Sequence, residues 1–236
     1  MRQSAINGFT LIELLVVIAI IGILASLLLP VLSRAKARGQ QAICCNNLHQ
    51  LATGFQLYED ESSDQFPAPG SKKQYGPQPE DWIWWEPDRD VKSSSIAKFV
   101  GNFNPDLFTC PADMDARQLQ AQSNLATNAY RFSYSLTSYS LVTDADGSQV
   151  NQGMSTIITK AREIYPFKTS QIKNPTAKIM LVEEDRKTID DSRWVPKLNF
   201  ISPRHGGKGE VTFADAHVEA ETPEFGQDPT NSNPTY

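Results

Sequence analysis

Glu13 is the one ionisable side chain among the 21 residues from Phe9 to Leu29. As a helix rising ~1.5 Å per residue, that run is long enough to cross a hydrocarbon layer of about 30 Å. A carboxylate at membrane depth costs roughly 2.5 kcal/mol or more and calls for a dedicated partner, so the chemistry open to Glu13 is charge pairing. A second group with chemical capacity is His205, Asp215 and His217. On a continuous strand Asp215 and His217 face one side, and His205 can arrive from a neighbouring strand across Gly206-Gly207-Lys208-Gly209, an arrangement with metal-ligand character. A structural hairpin, held by local hydrogen bonds of His205 and Asp215, is the preferred reading of these residues.

Other candidates are weaker. Asp144-Ala145-Asp146-Gly147 has the look of a calcium-loop fragment, yet a full loop needs further spaced oxygens and a distal acid that are not evident, so a polar turn is expected. No cofactor is assigned, with calcium or another metal in the head kept only as an alternative. Trp82-Ile83-Trp84-Trp85 alternates as a strand that buries Trp82 and Trp84 on one face and offers Trp85 to the other, which reads as core or subunit contact rather than a ligand platform. The chain has no phosphate-binding glycine loop, nucleophile elbow or paired-histidine zinc signature. His49 shares a helix with Cys44 and Cys45, and no orienting group accompanies them, so a catalytic thiol is disfavoured. An enzyme is the weakest reading.

The elements that must position these residues follow from patterning. Past Pro30 the sequence becomes amphipathic, with Leu48, Leu51, Ala52, Phe55 and Tyr58 at spacings of three and four. The helix is expected to run from Thr10 to near Tyr58, half in lipid (9–30) and half as the spine of an outer domain (31–60). Beyond residue 65 short β-rich runs appear: Trp82–Trp85, Tyr130–Val142, Ala177–Val182, Leu198–Ile201 and Glu210–Ala214. The stretch 155–162 reads as strand or helix. The expected architecture is α+β, a long N-terminal helix packed against an antiparallel sheet in a head spanning 61–221. From Thr222 the low apolar content predicts a flexible tail, 222–236. Residues 1–40 carry net +3, leaving net −8 for the remainder, which argues against broad nucleic-acid binding.

The N-terminus carries a resemblance. Met1 to Gly8 are polar with Arg2 as their charge, the apolar run follows the Gly8-Phe9 junction, Glu13 is the fifth residue after it, and Pro30 closes the run. This resembles the prepilin-type start of type IV pilins and type II secretion pseudopilins. The resemblance implies a leader, 1–8, cut between Gly8 and Phe9 by a prepilin peptidase that also N-methylates Phe9, and a helix that packs into a filament core. Glu13 would then pair with the α-ammonium of Phe9 on a neighbouring subunit, setting register more than adding stability. Gly22, Ala25 and Ser26 would permit close helix approach.

The resemblance extends to the head. Cys44-Cys45-Asn46-Asn47-Leu48, Phe66-Pro67, Cys110-Pro111, Tyr134-Ser135 and Arg204-His205 to Asp215-Ala216-His217 are similar to a large bacterial group of pseudopilin-like proteins, which commonly ends in His, nine residues, then Asp-Gly. Here Ala216 stands where Gly is usual. If Asp215 and Ala216 are the central residues of a tight turn, Ala216 carries a cost of roughly 1 kcal/mol for positive φ. Three cysteines in an exported domain invite one disulfide. The group's cysteine positions imply Cys44 with Cys110, leaving Cys45 as a spare thiol.

The implied role is a non-enzymatic subunit of a type II secretion pseudopilus or type IV pilus-like filament. Its implied partners are other copies of itself, the prepilin peptidase, an inner-membrane assembly platform, an assembly ATPase and the lipid bilayer. The implied location is the inner membrane, crossed once with the N-terminus cytoplasmic and the head periplasmic, then a periplasmic or surface filament. Basic residues disagree with that orientation, since Arg34, Lys36 and Arg38 follow the span and only Arg2 precedes it. The alternative function is a membrane-anchored binding module that uses the prepilin export route.

Overall fold

The computed structural model describes residues 10–70, 78–84, 90–101, 104–113, 132–139 and 141–235. The expected leader and the Gly8-Phe9 junction lie outside the described residues, as do Trp85 and Tyr130. The chain divides into two units, Met1–Gly39 and Gln40–Tyr236.

In the first unit the described residues begin helix α1, which runs Leu11–Glu61. Thr10 precedes it with a hydroxyl suited to an N-cap, and the first helical bond is Leu14 N to the Thr10 carbonyl at 3.3 Å. The large apolar side chains from Leu11 to Leu32 are 47 to 73 % exposed, a continuous apolar surface that nothing among the described residues covers. That part of α1 is long and apolar enough to cross a membrane. Pro30 stands inside the helix and lacks the N–H that the Ser26 carbonyl would otherwise receive. The Ser26 hydroxyl donates to the Ile23 carbonyl at 2.7 Å.

In the second unit α1 becomes a core element. Cys44, Leu48, Leu51, Ala52 and Phe55 are fully buried, following the three-and-four spacing. Gly54 sits on that face, and an added Cβ would come within 2.7 Å of Val100 Cγ1. The helix ends where Ser63 and Asp64 turn left-handed at φ of 57° and 60°, with Asp64 N donating to the Glu59 carbonyl at 2.9 Å.

Nine strands follow among the described residues. Five of them, β1 Tyr134–Thr137, β6 Ile179–Glu183, β7 Arg193–Trp194, β8 Gly209–Phe213 and β9 Val218–Glu221, form one sheet, while β2 Leu141–Thr143 with β3 Gln149–Asn151 and β4 Ile157–Ile158 with β5 Ile164–Tyr165 form small hairpins. The helix packs on the five-stranded sheet, whose order is β7-β1-β6-β8-β9. Register places Tyr134 opposite Glu183 and Val182 opposite Val211. The fold is α+β and pilin-like, with one departure from a purely antiparallel sheet: β1 and β7 pair in parallel. The undecided stretch 155–162 contains strand β4.

Both faces of this sheet are covered. Tyr134, Leu136 and Leu181 join the cluster that contains Leu48, Leu51 and Phe55 of α1. Ile179, Val182, Val211 and Phe213 form a second cluster with Trp194, Ile201 and Phe225. A register shift between Ile179 and Leu181 sends those two side chains to different clusters. Double coverage explains why β6 and β8 are buried throughout instead of alternating.

Three sequence expectations need correction. Trp82 and Ile83 are successive and both fully buried, in irregular backbone rather than a strand. Trp82 packs on Phe55 and Phe108 with ring centroids at 5.5 and 6.2 Å, and its Nε1 donates to the Ser192 carbonyl at 3.1 Å, so nonlocal contacts override strand alternation. Of Leu198–Ile201 only Ile201 makes a ladder-type bridge, to Glu184. The segment from Thr222, expected as a flexible tail, instead forms α2 Pro223–Gln227 and a 3-10 turn at Pro229–Asn231. Phe225 anchors it on the second cluster, Ser232 is fully buried, and Tyr139 Oη and Ser232 Oγ are 2.7 Å apart.

Candidate functional site

Two places among the described residues carry chemistry. The first is the start of α1. Thr10 occupies the N-cap and Glu13 the third helical position, the spacing of a capping box. Thr10 N donates to Glu13 Oε2 at 2.8 Å, and Glu13 N donates to Thr10 Oγ1 at 3.2 Å. The Thr10 hydroxyl also donates to Glu13 Oε2, at 2.7 Å. The lone carboxylate of the apolar run thus has local partners, and the pair satisfies otherwise orphaned helix donors. The Thr-x-x-Glu spacing that signals this cap is legible in the sequence, although the resemblance implies only an intermolecular partner for Glu13.

The second place is a buried polar centre in the second unit. Cys44 of α1 and Cys110, which precedes the 3-10 turn Pro111–Asp113, are joined by a disulfide with Cα atoms 5.2 Å apart. Beside it lies Glu183 at the end of β6, its side chain fully buried. Cys44 Sγ is 3.8 Å from Glu183 Oε1, and Cys110 Sγ is 3.5 Å from His205 Nε2. His205 Nε2 in turn is 3.2 Å from Glu183 Oε2. Burial pulls the His205 imidazole down, and the Glu183 carboxylate, aided by Glu210, more than offsets this, so its pKa rises overall.

Arg204 ties the centre together. Its guanidinium contacts Asp113 Oδ1 at 3.0 Å and Glu183 Oε1 at 3.2 Å, and donates to the Glu184 carbonyl at 3.0 Å. Ser133 Oγ donates to Asp113 Oδ2 at 2.8 Å and accepts from Cys110 N at 3.0 Å. Glu210 N donates to Glu183 Oε2 at 3.2 Å, while Gln41 Nε2 of α1 donates to Glu210 Oε1 at 2.7 Å. Charged groups buried this deeply persist because each is paired and hydrogen-bonded. Cys45, next to the disulfide, carries a free thiol whose pKa is pushed up by burial and by the Glu210 charge. Glu183 escapes sequence reasoning as a site residue, and Arg204 enters it only as part of the Arg204-His205 motif; the hint available for Glu183 is the carboxylate pair Glu183-Glu184 that ends an otherwise apolar strand.

The trio His205, Asp215 and His217 is not brought together. Two adjacent glycines, Gly206 and Gly207 at φ of 67° and 92°, turn the chain between His205 and Lys208 before β8 begins. Asp215 and His217 lie beyond the other end of β8. There Asp215 Oδ1 meets His217 Nδ1 at 2.5 Å, and the His217 ring stacks on Phe213 at 4.3 Å. His205 therefore bonds to Glu183, not within a hairpin with Asp215. The turn also differs from the expected form: Ala216 N donates to the Phe213 carbonyl at 2.9 Å, which makes Ala214 and Asp215 the central residues, and Ala216 follows them at φ 72°. At Asp144–Gly147 both carboxylates accept from Ser148 N, each at 2.9 Å, and hold the β2–β3 turn.

Comparison with known proteins bears on the N-terminal site. Residues 4–29 match the family model described as the prokaryotic N-terminal methylation motif. The chain carries that motif. It includes the Gly8-Phe9 junction and Glu13, so the capping box of Thr10 and Glu13 is the structural start of the motif's helix. The chain is also 43 % identical over 65 residues to the "Type IV major pilin protein PilA" of Myxococcus xanthus (strain DK1622), covering 26 % of this chain and 30 % of the relative. The match thus spans under a third of that relative's length. No solved structure matches the chain.

Proposed function

We propose that this chain is a pilin-type filament subunit, cut between Gly8 and Phe9 and N-methylated on Phe9. One observation carries the reading: the methylation motif opens a helix whose apolar side chains from Leu11 to Leu32 are exposed, with nothing among the described residues packed on them. Such a surface is stable only in lipid or against copies of itself. In the bilayer it serves as a single-pass anchor, with the head on the periplasmic side. In the filament the same surfaces pack together, with Gly22, Ala25 and Ser26 allowing close approach. Glu13 then exchanges its local cap for the Phe9 ammonium of a neighbouring subunit.

The role is mechanical and not catalytic. The partners are the peptidase that cuts and methylates, the inner-membrane platform and an ATPase that drives growth. Within this reading we assign the subunit to a type II secretion pseudopilus or type IV pilus-like fibre. The test is intact-mass and N-terminal analysis of the chain from its native membrane, wild type against Gly8→Ala. The expected result is loss of Met1 to Gly8 and a methyl group on Phe9, both abolished in the variant together with the filament. An uncut chain would overturn the proposal and leave an anchored binding module in its place.

A further inference from the structure

The buried polar centre of the head has a donor set that exceeds what a disulfide needs. Cys44, Cys110, Glu183 and His205 each offer one ligand atom, and these atoms lie within 4.8 Å of one another. We propose that the thiol form of this chain holds a tetrahedral zinc-type divalent cation between Cys44, Cys110, His205 and Glu183, and that metal binding and disulfide formation compete for the same two sulfurs.

The spacing fits. In a tetrahedral zinc site with Zn–S of about 2.3 Å and Zn–N and Zn–O of about 2.0 to 2.2 Å, neighbouring ligand atoms stand about 3.3 to 3.8 Å apart. Cys110 Sγ is 3.5 Å from His205 Nε2, and Glu183 presents both carboxylate oxygens to the cluster, Oε1 at 3.8 Å from Cys44 Sγ and Oε2 at 3.2 Å from His205 Nε2, so that either one can serve as its single ligand atom. The two sulfurs must part, by side-chain rotation, once they are thiolates, and any pair as far apart as 4.8 Å must draw in around the ion. The ligands come from α1, the loop before Pro111, the end of β6 and the loop before β8, so the backbone around the cluster is fixed by four separate elements.

The charge fits as well. Loading a divalent cation onto two thiols, a neutral imidazole and a carboxylate releases two protons and transfers no electrons, so a newly made chain with reduced cysteines needs no co-reactant. The resulting centre carries one surplus negative charge. The Arg204 guanidinium, 3.2 Å from Glu183 Oε1, stands where it offsets that charge, and Glu210 N at 3.2 Å from Oε2 orients the carboxylate. The mixed sulfur, nitrogen and oxygen donors suit zinc over calcium or magnesium, which take oxygen alone.

The experiment uses the full chain in detergent. Wild type, Cys45→Ser, His205→Ala, Glu183→Gln and Cys110→Ser are checked for folding in their isolated form, reduced with a phosphine under nitrogen, and loaded with Zn2+ or, as a spectroscopic substitute, Co2+. Expected are one zinc per chain in wild type and Cys45→Ser, with the visible absorption of tetrahedral, thiolate-bound cobalt. Zinc is lost in Cys110→Ser and His205→Ala, and affinity falls about tenfold or more in Glu183→Gln. His205→Ala is decisive, because its disulfide holds the fold without the imidazole and can be opened after folding is verified. No stoichiometric zinc in reduced wild type, or full zinc with an unchanged cobalt spectrum in His205→Ala, would overturn the proposal.

Discussion

Glu59 gives the sharpest test of the energetics of the head. It lies in the last turns of α1, 8 % exposed, and Thr169 Oγ1 donates to its Oε2 at 2.9 Å. Burial raises its carboxyl from 4.5 to about 7; the Thr169 bond opposes the rise, and the Asp60 and Asp64 charges add to it. The folded chain therefore binds this proton more tightly than the unfolded chain between pH 4.5 and about 7. Stability from this group falls as pH climbs through that window and is flat on either side of it. At about 1.4 kcal/mol for each tenfold in the equilibrium, an ionised Glu59 costs the fold on the order of 3 kcal/mol at pH 8.

Glu59→Gln keeps the shape and the acceptor for Thr169 while removing the titration. At pH 8 the variant is expected to be more stable by about 3 kcal/mol, a rise in melting temperature of roughly 6 to 12 °C for a domain of this size. At pH 5 the gain shrinks below ~1 kcal/mol, because little of the unfolded-state difference has developed there. Thermal melts of the full chain in detergent, followed by the fluorescence of the fully buried Trp82 and Trp194, read the effect directly. Equal offsets at pH 5 and pH 8 would refute the reasoning, since they would mean that glutamine acts through packing.

Three further outcomes follow from the geometry. Arg204→Ala leaves the buried Asp113 and Glu183 carboxylates without their cation and is expected to lower stability by about 3 to 5 kcal/mol; a shift in denaturant midpoint equivalent to under ~1 kcal/mol would show that the pair is not the strut described. Ala216→Gly relieves a side chain held at φ 72° and gains up to ~1 kcal/mol, less whatever its part-buried methyl contributes; a loss in the same unfolding assay would count against a strained turn. Thr10→Val removes the capping hydroxyl, worth about 1 kcal/mol at a helix start, but keeps the Glu13 charge. Filaments imaged from cells should therefore survive Thr10→Val and disappear in Glu13→Gln, whereas equal loss in both would make the cap the essential function of Glu13.

What the sequence makes legible is whatever depends on neighbours along the chain. The spacing of Leu48, Leu51, Ala52 and Phe55 marks the buried face of α1, because local periodicity and burial coincide there, and short runs rich in apolar or β-branched residues mark β6 and β8. Trp82 defeats such reading because its environment is made by Phe55, Phe108 and Ser192, residues 27, 26 and 110 positions away. The folded tail escapes it for a similar reason: its anchors are nonlocal, Phe225 on the second apolar face of the sheet and Ser232 against Tyr139.

The C-terminal motif shows how a correct spacing can be read for the wrong cause. His205 and Asp215 bracket β8, with a glycine turn before it and the turn at Ala214-Asp215 after it. The nine intervening residues therefore measure one five-residue strand plus its two turns. Strand geometry keeps the two ends of such a segment about 17 Å apart, too far for both side chains to serve one ion. The two ends instead act separately. Asp215 and His217 close the turn to β9, while His205 reaches across β6 to the carboxylate and sulfur that fasten the head to α1. The imidazole finds its partners through the sheet order, with β6 beside β8, and sheet order is a property of the head that residue spacing does not encode.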